Sequence, residues 1–103
     1  MPTAITHHSI DDDKLKAVML FLIVSFPANS IGHRYDFDRS AETFIISFKD
    51  DNRLITISRE FFDDNPVEQI VPTLKAHGIV RTVESMKFHR VVVSNEGLEY
   101  QKS

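Results

Sequence analysis

Apolar residues recur at helical spacing near the start of the chain. Leu15, Val18, Met19, Leu22 and Phe26 fall three or four positions apart, which lines one face of a helix turned toward a core. Ser9 stands before this segment with Asp12 three positions on. A hydroxyl cap at Ser9 and a carboxylate reaching back from Asp12 start the helix there, and Asp11, Asp12 and Asp13 meet the positive end of its dipole. The helix should end near Ser25, because Pro27 disfavours helical geometry in the residue before it. Ala17, Phe21 and Val24 form a second apolar stripe. A helix apolar on nearly all sides must be covered on nearly all sides, by its own domain or by a partner chain.

The period then changes. Tyr35 and Phe37 alternate with Arg34, Asp36 and Asp38, which predicts a half-buried or edge strand from His33. Thr43 to Lys49 follows, with Phe44, Ile46 and Phe48 on its inner face. Asp50, Asp51 and Asn52 make a polar turn, and Arg53 to Arg59 returns with Ile55 and Ile57 inward. Beyond Phe61 and Phe62, Asn65 fits a helix cap, Pro66 the first helical position and Glu68 a capping-box partner. Val67, Ile70, Val71 and Leu74 give this helix its apolar stripe, Gly78 ends it, and Pro72 calls for a kink or two short turns. Two further strands are expected at Ile79 to Glu84 and Lys87 to Ser94, with Leu98 and Tyr100 pairing in a short last one. The predicted fold is α+β: two layers in the order α-β-β-β-α-β-β, an antiparallel sheet with its helices on one face, preceded by a flexible arm at residues 1–8 and forming one domain over 9–103.

Composition removes whole chemistries. The chain has no cysteine, so thiol nucleophiles, disulfides and zinc ribbons are excluded, and its three glycines are too far apart for a phosphate loop or dinucleotide fingerprint. The apolar run from Ala17 to Phe26 is about half the ~20 residues a membrane helix needs, and the aspartates before it oppose a signal peptide. A cytoplasmic location is the expectation. Net charge is -3, and neither half of the chain is basic, which argues against general nucleic-acid binding by counterion release.

Candidate chemistry is sparse. The order α-β-β-β-α is shared with double-stranded RNA-binding domains, but the second helix opens on Asp63 and Asp64 where a phosphate grip needs lysine. It is also shared with nuclease-like cores. Asp36, Asp38 and Glu42 are the acids close enough in sequence to resemble a metal cluster, with Asp36 and Asp38 expected on one strand face. The returning strand carries no carboxylate or lysine inside it, so such a site would be degenerate. The five histidines suggest no ligand set by their spacing, and no serine sits in a nucleophile elbow. No cofactor or metal is implied, and the sequence gives enzyme activity no positive support.

Two readings remain. Element order and mild acidity over residues 9–94 resemble those of dimeric secretion chaperones, although the final helix of that family is missing. The resemblance implies an interaction module, as do the doubly apolar first helix and the open strand edges. Such a protein is expected to homodimerise or take a peptide partner, with Phe21, Val24, Phe61 and Phe62 as candidate interface residues. The alternative is a single-stranded nucleic-acid binder that uses Arg81, Lys87 and Arg90 on the C-terminal strands, beside Phe88.

Overall fold

A computed structural model describes residues 12–85 and 90–101. Its elements are α1 (Asp12–Ser25), β1 (Ser30–Asp36), β2 (Ala41–Ser47), β3 (Asn52–Ser58), α2 (Arg59–Asp64), α3 (Val67–Ala76), α4 (Ile79–Ser85), β4 (Arg90–Ser94) and β5 (Gly97–Gln101). The predicted caps at Ser9 and the arm at residues 1–8 lie outside the described residues.

The fold is α+β, with all five strands in one sheet of order β1-β2-β3-β4-β5. The expected hairpin is present, with Phe44 opposite Ile55 and Ile46 opposite Arg53. The sheet is mixed rather than antiparallel. β3 and β4 run parallel, because the chain between them is a helical crossover that returns it to the starting end of the sheet. Within that crossover the structure corrects further expectations. Ile79 to Glu84 is helix α4, not a strand: Ile79 and Val83, four apart, are both buried, and that helical spacing prevails over their β-branched character. Gly78, at φ 71°, turns the chain from one helix into the next.

The segment before α3 also differs from its prediction. Arg59 to Asp64 forms an additional short helix, capped by the Ser58 hydroxyl, which accepts from the Phe61 amide at 3.2 Å. Asn65 therefore closes α2, donating to the Phe61 carbonyl at 2.8 Å, and Pro66 takes the cap position of α3. Pro72 lies inside α3, which runs as one helix rather than as two short turns.

One core joins the helices to a single face of the sheet. Val18 and Leu22 of α1, and Phe26 just after it, meet Phe44, Ile46, Ile55, Ile57, Val91 and Val93 of the sheet, together with residues of the crossover helices. Paired strand residues share a face, so these sheet positions all belong to the helix-covered side. Arg53 pins the end of the crossover to it. Its Nη1 donates to the Val83 and Glu84 carbonyls at 2.6 and 3.0 Å, in the last turn of α4, while the guanidinium sits 4.0 Å from the Phe48 ring centre. Arg53→Met keeps the stem and removes the donors. It should cost about 1–3 kcal/mol in urea denaturation, and a change near zero would show that the staple adds nothing.

Candidate interaction site

The first helix shows where its second apolar side goes. Leu20, Ile23 and Val24 are 63%, 49% and 69% exposed, and their i, i+3, i+4 spacing places them on one face, away from buried Val18 and Leu22. Phe21 packs partly against the core and forms the edge of this face. Between α1 and α3 lies an open groove of about 350 Å³, walled by Ala17, Leu20, Phe21 and Val24 on one side and by Val71 and Lys75 on the other. Val67, 39% exposed at the start of α3, adds to the apolar surface of that helix. Sequence reasoning found Phe21 and Val24 but not Leu20 or Ile23, whose signal was present in the same unbroken apolar run.

The other predicted interface residues are placed differently. Phe61 and Phe62 are 1% and 0% exposed, with ring centres 6.2 Å apart in an edge-to-face arrangement. Both belong to the core, so neither is presented to a partner. Two adjacent aromatics can share one core here because α2 is wedged into the crossover. On one side it contacts β3 and β4, and on the other Lys14 Nζ of α1 donates to the Phe62 carbonyl at 2.5 Å.

The acids grouped by sequence proximity are not brought together. Asp36 pairs with Ala41 and Glu42 with Tyr35, which puts the two carboxylates on opposite sheet faces. Asp38 lies in the β1–β2 loop, so it does not share a strand face with Asp36. Glu42 is fully buried on the helix-covered side and hydrogen-bonds His33 Nε2, whose ring stacks on Phe44 with centres 4.9 Å apart. Among the described residues, no group of three His, Cys, Asp or Glu side chains is placed to hold a metal.

Asp36 instead organises its loop. Its Oδ1 accepts from the Asp38 and Arg39 amides at 3.1 and 3.2 Å, and its Oδ2 from the Arg39 guanidinium at 3.0 Å. Burial alone would raise its pKa; the Arg39 guanidinium and these amides outweigh that and hold it below its ordinary 3.8. A carboxylate with a depressed folded pKa adds stability at pH above about 3.8, and that contribution is lost as pH falls through the folded value. An NMR titration should therefore give Asp36 a midpoint below 3.8, and Asp36→Asn should reduce the acid dependence of stability. A midpoint at or above 3.8 would contradict the assignment.

The proposed nucleic-acid residues are also dispersed. Arg81 stands exposed on α4 rather than on a strand, Arg90 is 8% exposed on β4, and Lys87 lies outside the described residues. Arg81 and Arg90 thus form no common strand platform. Among the described residues, no helix is long and apolar enough to cross a membrane. The chain matches no protein-family model, no curated protein and no solved structure.

Proposed function

We propose that this protein is a non-enzymatic interaction module that acts as a homodimer, with α1 as its interface. The supporting observation is the exposed face of Leu20, Ile23 and Val24, beside the apolar groove between α1 and α3. Three large apolar side chains on adjoining turns of one helix, left in water, carry a free-energy cost that a matching apolar surface removes.

A second copy of the chain is the occupant that suits the charge distribution. Asp12, Asp13, Lys14 and Lys16 all precede Ala17, and Ala17 to Ser25 contains no charged residue. Two α1 helices crossing antiparallel near Leu20 to Val24 bring their uncharged halves together and leave the charged turns at opposite rims. A two-fold axis through that crossing makes the same patch serve both chains. A parallel pairing would set Asp12 and Asp13 beside their own copies, where like charges repel.

Sedimentation equilibrium between about 1 and 100 µM tests this reading. A dimer mass that gives way to monomer on dilution supports it. A monomer mass throughout would remove the homodimer and leave a peptide or other protein as the occupant to seek.

A further inference from the structure

The face of the sheet opposite the helices carries a second arrangement. Arg34 stands opposite Thr43, and Thr43 opposite Thr56, so one residue from each of β1, β2 and β3 forms a row across this face. The two threonines are buried, with their hydroxyl oxygens 3.0 Å apart. Arg90 on β4 reaches toward the same row, and its Nη1 donates to the Thr56 hydroxyl at 2.5 Å. The sheet residues of the apolar core cluster all belong to the other side.

The charges here are unbalanced. Arg90 is only 8% exposed; Arg34 shares this face from β1, two positions from Asp36, the carboxylate that holds Arg39. Burial first, and then the charge of Arg39, lower the Arg90 pKa; Asp36, the carboxylate that Arg39 holds, opposes them, and Arg34 adds a smaller push downward. Glu99 shares this face from β5, where it pairs with Val92. Among the described residues, no carboxylate is within ion-pair distance of Arg34 or Arg90. A guanidinium withdrawn from water, with no carboxylate beside it among the described residues, is favoured by a counter-charge, and planar N–H forks are suited to the oxygens of a phosphate group.

We infer that Arg34, Arg39 and Arg90 form an oxyanion site for a phosphate group on the helix-free face of the sheet. Arg90 is its base, positioned by the Thr43–Thr56 pair, and Arg34 and Arg39 are the exposed arms that engage the ligand. The phosphate can come from a small phosphorylated molecule or from a nucleic-acid backbone. Both sources present the same oxygens.

Inorganic phosphate is the first probe, followed through the arginine side-chain N–H resonances against sodium chloride of equal ionic strength. The expected result is saturable shifts at Arg34 and Arg90, with affinity at least about tenfold weaker in Arg34→Gln. Arg90→Met should abolish the shift at Arg34. Should that variant fail to fold, Arg34→Gln, altered at an exposed position, decides alone. A single-stranded oligonucleotide forms the second arm: salt-sensitive binding weakened by Arg34→Gln assigns the backbone source, and phosphate binding without it assigns the small-molecule source. No saturable shift with phosphate, or affinity unchanged in Arg34→Gln, would overturn the inference.

Discussion

Val24→Glu and Leu20→Glu should each convert the proposed dimer to monomer at concentrations where the parent chain is paired, while leaving the monomer folded. Both positions are more than three-fifths exposed, so a carboxylate there reaches water in the monomer. Glutamate is also no worse a helix former than the residues it replaces. Stability of the separated chain should therefore change by about 0.5 kcal/mol or less. In a two-fold interface each substitution enters twice, and the two carboxylates lose water in an apolar contact. A loss of about 100-fold or more in dimer affinity follows, about 3 kcal/mol. Phe21→Glu is a poorer test because Phe21 also packs against the core, so its loss would mix unfolding with dissociation. Size-exclusion chromatography with light scattering, read beside circular dichroism, separates these outcomes. Folded dimers in both variants would remove α1 from the interface.

Phe62→Ala should act in the opposite way, costing about 3–5 kcal/mol of folding stability and giving no specific change in association between folded chains. Phe62 is fully buried, touches Phe61 edge-to-face, and belongs to the helix that links β3 to the rest of the crossover. Its removal leaves a cavity at the junction of α2 with the sheet, where the neighbouring backbone is held by the Ser58 cap and by Lys14. For a domain of ordinary stability, about 5–15 kcal/mol, this is a large fraction of the total. Urea denaturation of a dilute sample measures it. A loss below about 1 kcal/mol, together with weakened association, would return Phe62 to the role of surface anchor.

The physical basis of these two predictions was unequally visible in the sequence. The α1 core stripe and the β2–β3 hairpin could be read because each depends on a local period, 3.6 for the helix and two for the strands. The segment from Ile79 to Glu84 could not, because Ile79, Val80 and Val83 satisfy a strand by their branching and a helix by their spacing. Only the Ile79 and Val83 pair, both turned into the core, decides between them. The parallel pairing of β3 with β4 follows from that decision, since a helical crossover returns the chain in the same direction.

Functional residues followed the same division. The stripe of Phe21 and Val24 is legible in the sequence as a second apolar side of the helix, whereas the candidacy of Phe61 and Phe62 rests on the difficulty of burying two adjacent aromatics, which α2 resolves by turning both into the core. Asp36, Asp38 and Glu42 appeared to be a cluster because they are near in sequence; the β1–β2 register puts Asp36 and Glu42 on different faces. The row of Arg34, Thr43, Thr56 and Arg90 was beyond local reading altogether. Its members lie on four strands and meet through register and a contact between residues 34 positions apart.

The proposed interface on α1 is tested most directly by isotope-filtered NOE spectroscopy on an equimolar mixture of labelled and unlabelled chains. The account predicts intermolecular contacts among the methyl groups of Leu20, Ile23 and Val24, which disappear on dilution and in Val24→Glu. Intermolecular contacts confined to other surfaces, or none at concentrations up to about 1 mM, a level at which even contacts of millimolar affinity begin to populate, would contradict it.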